Sequence, residues 1–159
     1  MRRSEAGFTY VWALAAVAML SIGLAEVGPM WEDDMRRERE QDLLRIGALY
    51  AAAITSYYEA SPGTLKQYPK ALSDLLHDPR HLGIRRHLRR LYADPMLPGQ
   101  SFAVITGDDG TIRGVYSTDP ARPLRREALS VVGVDLPANA RSYADWQFAP
   151  QPPTRIQQP

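Results

Sequence analysis

The sequence predicts an α+β protein: a long N-terminal helix packed on a small antiparallel β-sheet. Three observations carry this. An uncharged, largely apolar stretch runs from Phe8 to Ala25, a helical apolar period follows from Leu43 to Tyr57, and two β-rich runs flank Gly107-Asp108-Asp109-Gly110. The 159 residues contain no cysteine, which removes disulfides, thiolate metal sites and thiol catalysis together.

As a helix, Phe8 to Ala25 rises roughly 27 Å, close to the hydrocarbon thickness of a bilayer. One membrane crossing is therefore expected. Arg2 and Arg3 precede it and Glu32-Asp33-Asp34 follow it, which places the N-terminus in the cytoplasm and the remainder across the membrane. No later stretch is apolar enough to span again. An ordinary secretory signal would start in the same way, with Gly23 and Ala25 set for a cut before Glu26. A plain uncleaved anchor fits the hydropathy equally well.

The helical pattern continues beyond the span. Leu43, Gly47, Tyr50, Ile54 and Tyr57 recur every three or four residues, with Ile46, Leu49 and Ala53 beside them, so one face is apolar. Span and face are expected to form a single helix ending at Ser61-Pro62-Gly63. Between Glu32 and Asp42 that helix is densely charged. It reads either as a solvated stretch with local ion pairs or as a surface for charged faces of neighbouring subunits.

Tyr68-Pro69 opens an expected short helix through Leu76, with Leu72, Leu75 and Leu76 on one face. Ile84 to Tyr92 reads as another short helix, Ile84, Leu88 and Leu91 inward and Arg85, Arg86, Arg89 and Arg90 outward. Those arginines suit a solvated face, with docking of a phosphate or an acidic partner as the functional alternative. Ser101–Thr106 and Thr111–Ser117 form a hairpin around the Gly/Asp turn. A further strand is expected through Val131–Val134 or Asp145–Phe148, and the Pro/Gln-rich stretch 150–159 is expected to be disordered.

Candidate chemistry is sparse. His77, Asp78 and His81 suggest a metal pair with one carboxylate, but Pro79 breaks the helix that would align them. Asp108 and Asp109 are calcium-type ligands that a tight turn also uses for its backbone. No Ser-His-Asp order, phosphate-binding loop or paired-carboxylate pattern stands out, and no enzymatic activity is expected. Without residues 1–7, which hold Arg2, Arg3 and Glu5, the 19 basic and 18 acidic side chains become 17 of each. Such a balance gives no general pull on nucleic acid.

At Gly7-Phe8-Thr9-Tyr10 the chain resembles the type IV prepilin family, which includes the pseudopilins of type II secretion systems. The resemblance lies in a short basic leader ending in glycine, a phenylalanine after it, and an apolar segment downstream. With Phe8 counted as the first mature residue, Pro29 is the twenty-second, where many members carry a helix-kinking proline. Most members have glutamate at the fifth position, thought to neutralise a neighbour's N-terminal amine; this chain has Trp12 there. An atypical or minor member fits that departure better than the main building block. Tyr68-Pro69 with Leu72, and Asp94-Pro95, resemble segments of major pseudopilins, although Met96 and Leu97 replace the tryptophan and glycine usual after the latter.

The resemblance implies a leader at 1–7, a transmembrane segment at 8–30, the soluble half of the helix at 31–60, a periplasmic α+β region at 61–149 and a tail at 150–159. It implies cleavage between Gly7 and Phe8 by a prepilin peptidase, methylation of the new amine, and assembly through Trp12 and Pro29. The implied partners are other pseudopilin or pilin subunits, an inner-membrane assembly platform and membrane lipid, with no nucleic acid. The implied location is the bacterial inner membrane with the C-terminal domain in the periplasm. No cofactor is expected from the residues themselves; calcium enters through the resemblance alone, with no ligands carried over. The alternative is a membrane-anchored periplasmic binding or accessory protein that never polymerises.

Overall fold

The computed structural model describes residues 6–25, 27–131 and 134–150. The chain divides into two units, Met1–Glu38 and Arg39–Pro159. Its helices are α1 (Ala6–Ala25) and α2 (Val27–Glu59), and its strands are β1 (Ala103–Thr106), β2 (Ile112–Tyr116), β3 (Leu129–Val131), β4 (Val134–Leu136) and β5 (Gln147–Phe148).

In the first unit, α1 carries no charged residue, and every side chain described on it, from Thr9 to Leu20, is exposed. Trp12 retains 63% of its surface. A helix that is apolar on all sides requires a partner or a lipid surface around it. Among the described residues no helix is long and apolar enough to cross a membrane. The span expected from Phe8 to Ala25 lies partly outside the described side chains.

Of the single helix expected from Phe8 onward, α1 is described as far as Ala25 and α2 from Val27. Pro29 has no N–H to donate to the carbonyl of Ala25, four residues back, so a helical ladder lacks one rung there. Glu26 lies outside the described residues.

In the second unit the periodic face of α2 is buried as its spacing requires. Leu43, Ile46, Tyr50, Ile54 and Tyr57 all lie in the core, and only Leu49 of the expected face is turned outward. Facing them are Ile112, Val115, Val134, Leu136 and Phe148 from the sheet, with Trp146 and Tyr143 beside them. The Tyr50 hydroxyl receives the Tyr92 N–H at 2.9 Å and donates to the Tyr92 carbonyl at 3.1 Å, tying the helix to the chain that leads into the sheet.

The sheet order is β1-β2-β5-β4-β3, antiparallel throughout. Two hairpins, β1-β2 and β3-β4, are joined by the last strand: β5 pairs Val115 with Phe148 on one side and Asp135 with Gln147 on the other. Of the two stretches expected to carry a further strand, Asp145–Phe148 contains β5, whereas no single strand passes through Val131–Val134, which holds the end of β3 and the start of β4. The β1-β2 hairpin is the expected one, with Gly110 at φ +73° closing its turn and a bulge after Ile105.

Two expected helices are corrected. Tyr68–Leu76 contains only a 3₁₀ turn, Leu72–Leu75, opened by the Asp74 carboxylate accepting the Lys70 and Ala71 N–H groups rather than by Pro69. Ile84 to Tyr92 forms no helix. The amides of His87 and Leu88 both donate to the Leu75 carbonyl, at 2.8 and 2.9 Å, and hold the segment open. Only Leu88 turns inward; Ile84 and Leu91 are exposed. The expected tail lies outside the described residues from 151 onward.

Candidate functional site

Gly7 and Phe8 lie near the start of α1, and Trp12 follows on the same helix with its indole exposed. Pro29 lies in the first turn of α2. The side chains of Phe8 and Pro29 fall outside those described. A carboxylate at position 12 would stand in an uncharged stretch, where it is costly unless paired. The indole of Trp12 carries no such cost and has no negative charge with which to neutralise an amine.

The densest polar constellation lies at the C-terminal end of α2. An α-helix leaves its last carbonyls without intrahelical donors. Here Arg80 supplies one of those donors: Nη2 donates to the Tyr57 carbonyl at 2.7 Å, Nη1 to the Ser61 hydroxyl at 2.7 Å, and the guanidinium lies 3.6 Å over the Tyr57 ring. The same guanidinium grips Asp78, Nε to Oδ1 at 2.8 Å and Nη2 to Oδ2 at 2.7 Å. The Asp78 side chain is wholly buried. Arg80 holds its carboxyl well below the usual carboxylate range, against the opposing effect of burial.

His87 completes the cluster. Its Nε2 lies 3.3 Å from Asp78 Oδ2 and its Nδ1 lies 2.8 Å from Ser56 Oγ. Burial pushes the imidazole below its ordinary value, and the hydrogen bond to Asp78 opposes this without reversing it. The neutral ring fits its neighbours in one tautomer, with Nε2–H donating to Asp78 and the Ser56 hydroxyl donating to Nδ1. A groove of about 590 Å³ opens beside Ser56 and His87, lined also by Leu49, Ala52, Leu88 and Tyr92.

Sequence order hides this Ser56-His87-Asp78 chain, because Asp78 and His87 reach α2 only through the corrected loop. Its connectivity is that of a nucleophile, a base and a carboxylate. Its electrostatics differ. The Asp78 charge is already matched by the fixed Arg80 guanidinium, so little of it remains to stabilise a developing imidazolium. The cluster therefore acts as a clasp that caps α2 and fixes the loops after it.

The candidate metal ligands resolve within the same clasp. His81 Nε2 lies 3.2 Å from the Ala60 carbonyl and 3.6 Å from Asp78 Oδ2. Asp78 is committed to Arg80 and His87, and His77 is not brought to its carboxylate. No group of three metal-ligating side chains occurs among the described residues. Asp109 serves the hairpin turn: Oδ1 accepts the Thr111 N–H and hydroxyl, and Oδ2 pairs with Arg113 at 2.8 Å.

Two further buried carboxylates escaped sequence reasoning. Glu40 falls in the stretch expected to be solvated or intermolecular, yet it accepts the N–H groups of Leu124 and Arg125 and the Tyr143 hydroxyl, at 3.0 to 3.1 Å. Asp94 accepts the Ser117 hydroxyl at 2.6 Å and the Met96 N–H at 2.9 Å. It pins the Asp94-Pro95 turn to the end of β2. The only sequence signal for Asp94 was its proline neighbour; Glu40 had none. No protein-family model, curated protein or solved structure matches this chain.

Proposed function

We propose that the protein is a structural subunit of the pseudopilin or type IV pilin kind, made as a precursor, cleaved between Gly7 and Phe8 and assembled into a periplasmic fibre that serves secretion. The observation that carries this reading is the Gly7-Phe8 junction on a helix that is uncharged and exposed on every described side. Pro29, twenty-second when Phe8 is counted as the first, and the burial of α2 on an antiparallel sheet support it. The work done is mechanical rather than catalytic: α1 stores the subunit in the inner membrane, then packs among its equivalents. A clasped α2 and a tightly tied sheet suit a domain that must transmit force.

A second reading is favoured by Trp12, which cannot neutralise a neighbour's amine. On that reading the protein is a membrane-anchored periplasmic binding or accessory protein that stays single. Intact mass and N-terminal sequence of the mature chain separate the two. A chain starting at Phe8, with or without a methyl group, is expected. Retention of Met1 favours the anchor, and cleavage before Glu26 ends the fibre reading because the assembly helix is lost. Gly7→Leu is expected to leave the leader in place in cells with an active peptidase.

A further inference from the structure

The clasp at the end of α2 also holds out a surface that the core does not use. Arg80 joins two loops there. Beyond its bonds to Asp78 it reaches Ser61, whose hydroxyl accepts the Gln67 N–H at 2.9 Å. The second loop is closed at its base by the Asp78 N–H donating to the Arg85 carbonyl at 3.0 Å. Leu82-Gly83-Ile84 forms the tip. Leu82 is fully exposed and Ile84 retains 78% of its surface, as does Leu65 on the neighbouring loop.

The charge along the segment that carries this tip has one sign. Arg85, Arg86, Arg89 and Arg90 are exposed and make no ion pair among the described residues. Arg90 lies 5.0 Å over the Tyr92 ring. No acidic residue occurs from 79 to 93, in a chain whose formal net charge is only +1. Cations are therefore concentrated along this segment, and the carboxylates that flank it, Asp78 and Asp94, are both buried and hydrogen-bonded.

We infer that this tip is a contact for an anionic phospholipid surface, with Leu82 and Ile84 entering the interface and Arg85, Arg86, Arg89 and Arg90 meeting the headgroup phosphates. A nucleic acid or an acidic peptide would use the arginines but gain nothing from aliphatic side chains held out in water. A bilayer interface uses both, since apolar side chains enter the acyl boundary while cations draw in anionic headgroups. The rigid base matters because a tip already ordered loses less freedom on binding. The inference concerns the second unit alone and does not depend on cleavage or fibre assembly.

The absence of cysteine makes the test direct. Gly83→Cys places a single thiol at the tip, where an added Cβ meets no atom within 4 Å, and an environment-sensitive dye is attached to it. The full-length chain, held in phosphatidylcholine nanodiscs, is mixed with separate vesicles containing phosphatidylglycerol or phosphatidylcholine alone. A blue shift is expected with phosphatidylglycerol vesicles only, reduced at least tenfold in apparent affinity when the four arginines become glutamine and weakened by high salt. The same dye at Asp108→Cys, on the hairpin turn, is expected to stay unshifted. Equal response to both lipids, an unchanged response in the glutamine variant, or no response overturns the inference. A shift produced by duplex DNA or by additional unlabelled chain, with none from the anionic vesicles, overturns it in favour of that partner. Processing at Gly7 is read separately by intact mass, so failure of one proposal leaves the other's result distinct.

Discussion

The ring of Phe148 lies directly against the bare Cα of Gly47, so that any side chain at Gly47 would occupy the space of the ring. A two-residue strand thereby locks onto α2, since Phe148 also pairs with Val115 through the backbone. In an open helix, alanine in place of glycine stabilises by about 1 kcal/mol. Here the clash dominates, and Gly47→Ala is expected to destabilise by about 1–3 kcal/mol in urea unfolding. In a Phe148→Leu background the penalty should shrink; an undiminished penalty would show that the ring is not its cause.

Removing one partner of the clasp should cost more than removing both. Asp78→Asn leaves the Arg80 guanidinium, mostly buried, without its counter-charge, and a loss of about 3–5 kcal/mol is expected. The double variant Asp78→Leu/Arg80→Met removes the charges together and should lose less. Urea unfolding of the two variants provides the comparison, and a double variant worse than Asp78→Asn would contradict the reasoning.

Two pH windows follow from the same cluster. The His87 pKa is depressed in the folded protein from its ordinary 6.5, so the unfolded chain binds the proton more readily. The associated stability is complete above about 6.5 and declines as the pH falls from there toward the folded value. Asp78 is likewise depressed from 3.8; its contribution is present above that value and is lost as the pH drops further. Melting temperature against pH should fall in two stages. His87→Gln is expected to flatten the first stage and leave the second.

Glu40 gives a test outside the clasp. Glu40→Ala removes the carboxylate that accepts from the Tyr143 hydroxyl and two backbone N–H groups, at a cost of about 1–3 kcal/mol. Glu40→Gln keeps one acceptor oxygen and should cost less. Amide hydrogen exchange at Leu124 and Arg125 should accelerate in both variants, more in the alanine form.

The legible parts were those whose signal is local. The burial of Leu43, Ile46, Tyr50, Ile54 and Tyr57 follows from a period of three and four, and the β1-β2 hairpin follows from Gly/Asp turn chemistry between β-rich runs. Neither needs a distant partner. The clasp was visible in the sequence only as a scatter of His77, Asp78 and His81. His87 and Ser56, the residues that complete the clasp, carried no signal because α2 and a non-helical loop bring them together.

By itself the sequence determined an α+β chain with an uncharged N-terminal helical stretch, an amphipathic helix after it, and one hairpin. Tertiary structure decided the rest. Ile84 to Tyr92 has a helical pattern, but two amides sharing the Leu75 carbonyl fix it as a loop. Glu40 looks solvated, yet its acceptors satisfy donors more than eighty residues away. Periodicity records which face of an element is apolar; it cannot record which distant N–H or guanidinium will need a buried carboxylate.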